Sequence, residues 1–200
     1  MHAIDPISFP KLEVRSQILP REFYERPTTD VSRDLLGKIL VHGRSAGIIV
    51  ETEAYLGGDD LAAHSARGLT PRTKVIFGPA GHAYVYFIYG MYECLNLVAE
   101  PAGSAGCVLI RALDPICGLG RMFQRRPTAK KLQDLASGPG KLTMAMDITR
   151  AHNGRDVTRG SLVVRKWIDE QPIEIEVTPR IGITKCADWP LRFITASRFR

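Results

Sequence analysis

His82–Ala99 reads HAYVYFIYGMYECLNLVA: two aromatic-rich segments, His82–Tyr89 and Tyr92–Ala99, separated only by Gly90 and Met91. Side chains alternating with a period of two are those of half-buried strands. A glycine at the first central position of a two-residue connection fits a type II′ turn. The stretch therefore predicts an antiparallel hairpin. Outward on the N-terminal side, Gly47–Tyr55 (GIIVETEAY) begins as a buried apolar run and ends in carboxylates, the pattern of a strand leaving the core at a cleft. Lys38–His42 alternates as a strand before a turn at 43–46, and a helix capped by Thr29 or Asp30 runs to Leu36 with Gly37 past its end. On the C-terminal side Gly106–Leu113 predicts a buried strand. Asp114–Gln124, Thr128–Ala136 and Pro139–Met146 predict helices, and short strands follow at Leu162–Val164, Ile173–Val177 and Leu191–Thr195. Strands in runs, joined by tight hairpins with helices between, define an α+β class: a single mixed domain with a mostly antiparallel sheet and flanking helices.

The chain has 200 residues, 44% of them hydrophobic, enough for one buried core and too few for two. Residues 1–18 carry two prolines and no clear period, which predicts a poorly ordered arm before a domain over 19–200. Lys and Arg number 27 against 21 Asp and Glu, a formal charge of +6, which favours a polyanionic partner. No run of eighteen apolar residues and no signal-peptide pattern is present, so the expectation is a soluble intracellular protein. The four cysteines, Cys94, Cys107, Cys117 and Cys186, form no CxxC pair and read as free thiols.

Period-two geometry puts Glu51, Glu53 and Tyr55 on one strand face, where a carboxylate and a ring can share a cleft; spacing does not choose between the glutamates. Asp59, Asp60 and His64 raise a metal reading, but with the acids in a glycine-led loop and no second histidine nearby, neither metal nor cofactor is expected. Tyr84 and Tyr86 share a face, while Tyr89 falls beside the turn, where a ring could wedge into a base stack. Asn96 and Arg111 interrupt otherwise apolar strands and must find partners. Ser137–Lys141 (SGPGK) offers amides and a lysine at a helix start, a seat for phosphate without Walker spacing. Arg72 and Lys74 lie in a basic loop.

Taken together, Val50–Gly57 (VETEAYLG), Ala62–Ser65 (AAHS), Thr70–Arg72 (TPR), Tyr84–Tyr92 (YVYFIYGMY) with Asn96, Cys107–Pro115 (CVLIRALDP) and Ser137–Leu142 (SGPGKL) resemble the alkyladenine (3-methyladenine) DNA glycosylases of the mammalian type, which also occur in bacteria. The resemblance runs from about Leu19 to Phe193. It implies a curved-sheet fold related to the C-terminal domain of methionyl-tRNA formyltransferase, and a monofunctional enzyme that flips damaged purines from double-stranded DNA and hydrolyses the N-glycosidic bond. It also implies roles: Glu53 as general base with Arg111 as its partner, Tyr55, His64, Tyr86 and Asn96 as the base pocket, and Tyr89 as the intercalating wedge. Arg72, Lys74 and Lys141 are the expected backbone contacts, and the expected species is a monomer, cytoplasmic and nucleoid-associated in a bacterium or nuclear in a eukaryote. Between Asn96 and Arg111, at Glu100–Ser104, the chain is longer than the family pattern and is expected near the pocket. The competing readings are a catalytically silent binder of damaged DNA and a Mg²⁺-dependent nuclease.

Overall fold

A computed structural model describes residues 6–88 and 90–196. In chain order its elements are α1 (Phe9–Val14), β1 (Ser16–Ile18), α2 (Thr28–Asp34), β2 (Ile39–His42), β3 (Ser45–Tyr55), β4 (Ala83–Ile88), β5 (Tyr92–Ala99), β6 (Gly106–Cys117), α3 (Leu119–Arg125), α4 (Leu132–Leu135), α5 (Pro139–Met146), β7 (Leu162–Trp167), β8 (Glu176–Thr178) and β9 (Arg192–Ile194). The strands form one open, curved sheet in the order β1-β7-β2-β3-β6-β5-β4, with β9 joining β3 and β8 joining β9. Every strand pairing is antiparallel, as the alternating segments and tight turns predicted. Among the described residues, no helix is long and apolar enough to cross a membrane.

The main core lies between one sheet face and the helices, with Val31 and Leu35 from the α2 region and Leu142, Ala145 and Met146 from α5 packed on Ile49, Ile110 and Leu113. The opposite face carries a smaller cluster that includes Leu12, Ile48, Val50 and Ile116. The long pair β3·β6 changes phase between these cores. Its register steps from Ile49↔Leu113 to Glu51↔Ala112 and then to Thr52↔Ile110, so Val50 and Arg111 each lack an opposite residue. Before the irregularity Ile49 faces the main core; after it Ala54 does, and Glu51, Glu53 and Tyr55 are turned to the other face. Had strict alternation continued from Ile49, the carboxylates would have entered the helix-covered core, at a desolvation cost no partner there offsets.

Several expectations are corrected. The hairpin turn is longer than a two-residue type II′ loop: Ile88 pairs with Tyr92, the Met91 amide donates to the Ile88 carbonyl, and Gly90, at φ 68°, takes the third position of that turn. Residues 9–18 are no free arm, because α1 buries Leu12 and β1 pairs with β7 through Ser16↔Trp167 and Ile18↔Arg165. Asp114–Cys117 is strand rather than helix. Pro115 is tolerated in β6 because β5 pairs only with Gly106–Leu109, so no second strand lies against Pro115, and because the β3 register shifts beside it, between Ala46 and Gly47. Helix over Thr128–Ala136 shrinks to α4, and Ile173–Val177 to β8.

Neither Thr29 nor Asp30 caps α2. The Thr28 amide and hydroxyl instead donate to the Glu100 carboxylate across 72 residues of chain. Gly106 makes room for that contact, since a Cβ there would overlap Thr28 Oγ1 and stand 2.9 Å from Glu100 Oε1. Gly106→Ala is therefore expected to lower stability by about 1–3 kcal/mol. Urea unfolding checks it, and an unchanged midpoint would show that Thr28 relaxes at no cost.

Candidate active site

Period-two geometry in three neighbouring strands builds one wall. Tyr84, Tyr86 and Ile88 from β4, Tyr92, Cys94 and Asn96 from β5, and Cys107, Leu109 and Arg111 from β6 all line a cavity of about 560 Å³. The register explains the grouping: Tyr84↔Asn96, Tyr86↔Cys94 and Ile88↔Tyr92 are direct cross-strand pairs, and Asn96 also faces Leu109. The remaining lining comes from Tyr55, Ala62, His64, Gly138–Lys141 at the start of α5, and Ile181–Ile183. The Glu100–Ser104 loop contributes nothing to it, a correction to its expected place beside the pocket.

Several polar groups in the cavity are held by identifiable partners. His64 Nδ1 lies 2.9 Å from the Tyr84 hydroxyl, and its ring meets Tyr86 edge-on at 4.6 Å and 71°. Burial, with Arg72 and Arg67 nearby, pushes its pKa down to about 4, so the imidazole is neutral at pH 7. Burial also raises the Tyr55, Tyr84 and Tyr86 phenols, which stay protonated. Asn96 Nδ2 donates to the Tyr84 carbonyl at 3.3 Å, and the Cys107 thiol approaches Asn96 Oδ1 at 3.9 Å. Arg72 is exposed, with its guanidinium 5.5 Å above the Tyr86 ring; Lys74 is exposed in the same loop. Lys141 Nζ reaches Ser137 Oγ at 3.2 Å. Tyr89, expected as a wedge, lies outside the described residues.

Behind the wall sits a charged cluster. Glu53 is 0% exposed and does not itself line the cavity; Tyr55, Arg111 and Ile181, which do, all touch its carboxylate. Oε1 accepts from the Ile181 amide at 2.8 Å and pairs with Arg111 Nη1 at 3.3 Å, while Oε2 accepts from the Tyr55 hydroxyl at 2.8 Å. A carboxylate offers about four acceptor sites, so these three donors leave one open. Glu51 takes a different part: its Oε1 accepts from Arg111 Nε at 2.8 Å and Arg192 Nε at 2.7 Å. Burial would raise the Glu51 carboxyl, but those two guanidinium bonds outweigh it and hold the pKa below its ordinary range.

The structure gathers Tyr55, His64, Tyr86, Asn96, Arg111 and Lys141 around one cavity and adds residues that the sequence reading did not name. Cys94, Cys107 and Leu109 were readable from strand alternation once Asn96 and Arg111 were placed. Ile181, Arg180 and Arg192 carried no local signal. Asp60, weighed as a metal ligand, commits its oxygens to Arg180 at 2.6 and 2.8 Å and to the Leu56 and Ala62 amides.

Fold and site together define a class: a one-domain α+β protein whose sheet presents an aromatic slot backed by a buried carboxylate–guanidinium cluster. The family model described as Methylpurine-DNA glycosylase (MPG) matches residues 22–198. A protein of Methanoculleus marisnigri is 53% identical over 188 residues, covering 90% of this chain and 97% of its own. Proteins of Methanocella arvoryzae and Koribacter versatilis are each 51% identical, over 181 and 186 residues, covering 88% and 89% of this chain and 89% of their own in both cases. All three are provisionally named 3-methyladenine DNA glycosylases. The chain belongs to the methylpurine-DNA glycosylase family, enzymes of base excision DNA repair.

Proposed function

We propose that the chain removes 3-methyladenine, 7-methylguanine, hypoxanthine or ethenoadenine from duplex DNA by flipping the nucleotide and hydrolysing its N-glycosidic bond in a single step. The observation that carries this reading is the Glu53 carboxylate, fixed by three donors directly behind an aromatic cavity large enough for a purine. A flipped ring stacks on Tyr55 and Tyr86. With the Tyr84 phenol, 2.9 Å away, donating to His64 Nδ1, the neutral imidazole carries its proton on Nε2 and turns that N–H to the purine edge. An alkylated purine is a good leaving group, so selective binding and one placed water do most of the work.

In the bond-breaking step, water oxygen attacks C1′, the C1′–N electrons leave with the base, and Glu53 takes the water proton at its open acceptor site. Arg111 orients the carboxylate at 3.3 Å, and the carboxylate's negative charge stabilises the oxocarbenium character of the sugar. Because Glu53 has no solvent contact in the unliganded protein, base entry must shift part of the cavity lining enough to admit that water. No lysine occupies the position of the base, so no Schiff base forms and the DNA strand is left intact. Tyr89 is assigned the wedge on sequence grounds, with Arg72, Lys74 and Lys141 on the phosphates. The protein acts as a monomer, at the DNA.

Incubating duplexes that carry one hypoxanthine or one ethenoadenine tests the reading. Cleavage at the lesion only after alkali supports it; tight lesion binding with no abasic site would favour a silent binder. Asn96 crowds the exocyclic amine of guanine, so Asn96→Ser should raise excision of 2-amino purines relative to hypoxanthine by about tenfold, the worth of roughly one misplaced polar contact. An unchanged ratio in competition assays would remove Asn96 from the specificity account.

A further inference from the structure

Arg180 and Asp60 form a bidentate ion pair, 2.6 and 2.8 Å, with both side chains 0% exposed. A buried pair of this kind is a weak source of stability, because desolvation offsets its attraction. This pair also leaves Arg180 Nε buried with no hydrogen-bond partner. Its contacts show what it holds instead. Arg180 Nη1 donates to the Ala54 carbonyl at 3.0 Å, between Glu53 and Tyr55, and the guanidinium lies 4.7 Å from the Tyr55 ring centroid. Arg180 does not line the cavity, so it covers the Tyr55 ring from behind. The next residue, Ile181, supplies the amide on Glu53 Oε1. Asp60 in turn accepts from the Leu56 and Ala62 amides, closing the loop between Tyr55 and His64.

We infer that Asp60 and Arg180 are positioning residues for the catalytic carboxylate: their ion pair clamps the Ile181 backbone and the Tyr55 ring onto β3, so that Glu53 and the stacking face keep one geometry. The inference rests on the glycosylase reading and deepens it. Neither residue lines the cavity. A displacement of about 1 Å at a reacting group is enough to lose ~10²-fold in rate, so loosening the clamp acts on the bond-breaking step more than on DNA affinity.

The test compares Arg180→Lys, Asp60→Asn and the uncharged double variant Asp60→Asn/Arg180→Gln with wild type. Single-turnover release of 7-methylguanine from a duplex, lesion-duplex Kd and thermal midpoint are measured for each. Every variant is also made in a Glu53→Gln background. For variants that unfold cooperatively, the excision rate should fall about 10–100-fold while Kd moves less than about threefold. In the Glu53→Gln background the same substitutions should change the residual rate by less than about threefold, because the group they position is gone. Equal losses in both backgrounds would mean general destabilisation and would overturn the proposal, as would folded variants with wild-type rates. The wild-type protein gives a reading free of substitutions: the Ile181 amide should exchange with solvent at least about 100-fold more slowly than in an unstructured peptide, and fast exchange would overturn the clamp. If Glu53→Gln alone leaves excision unchanged, the glycosylase assignment of Glu53 has failed, and that result is distinct from failure of the clamp.

Discussion

Replacing Glu53 by glutamine lowers single-turnover excision of a methylpurine by about 10²–10⁴-fold, the usual contribution of a placed general base. The size follows from the geometry. The substituted amide would keep an oxygen for the Ile181 N–H and Arg111, so the cavity and its aromatic lining persist. What it loses is the acceptor for a water proton and the charge facing the developing oxocarbenium. Lesion-DNA affinity should stay within a few-fold of wild type, because Tyr55, Tyr86 and His64 are untouched. A loss smaller than about tenfold in rapid-quench measurements would mean that Glu53 is not the base.

Arg111→Met carries the largest expected cost in stability. Arg111 bridges Glu51 at 2.8 Å and Glu53 at 3.3 Å, with 14% of its side chain exposed and none of Glu53. Removing the guanidinium takes a paired cation from the fully buried Glu53 and leaves Glu51 with Arg192 alone, at a cost of about 3–5 kcal/mol near neutral pH. The sign of the pH dependence follows from Glu51. Burial raises its pKa, the bonds from Arg192 and Arg111 more than offset that, and the net shift is downward from the ordinary 4.5. A carboxyl depressed by folding contributes stability above its unfolded pKa and loses it as pH falls. The variant lacks one of those donors, so the gap between wild type and Arg111→Met should narrow as pH falls below about 4.5. Urea unfolding at about pH 7 and about pH 4 measures it; a gap that is constant with pH, or smaller than about 1 kcal/mol at neutral pH, contradicts the arrangement.

Much of this was legible because strand periodicity is local. The β4–β5 hairpin, β3 and α5 follow from patterns within ten or so residues, and the shared face of Tyr84 and Tyr86 follows from the same alternation. Alternation alone left Glu51 and Glu53 equivalent. The family pattern separated them, and the structure shows the two doing different things, one bonded to the Ile181 amide and Tyr55, the other to Arg192. The extension of β6 through Pro115 was illegible because proline ordinarily ends a central strand; here β5 stops at Leu109 and the β3 register shifts beside Pro115. Likewise the α2 cap comes from Glu100, and the clamp joins Asp60 to Arg180 across 120 residues; no window of sequence contains either pair. Residues 9–18 read as an arm because a six-residue helix and a three-residue strand are too short to show a period.

The most direct measurement is the release of free 7-methylguanine from a duplex carrying one such base, with enzyme and chelator both in excess, for wild type and Glu53→Gln in parallel. The account predicts stoichiometric free base from the wild type, an unbroken DNA strand bearing an abasic site, and release from the variant slower by at least about a hundredfold, the lower bound for a general base. Activity that disappears with chelator, a strand cut without further treatment, or equal rates for the two proteins would contradict it.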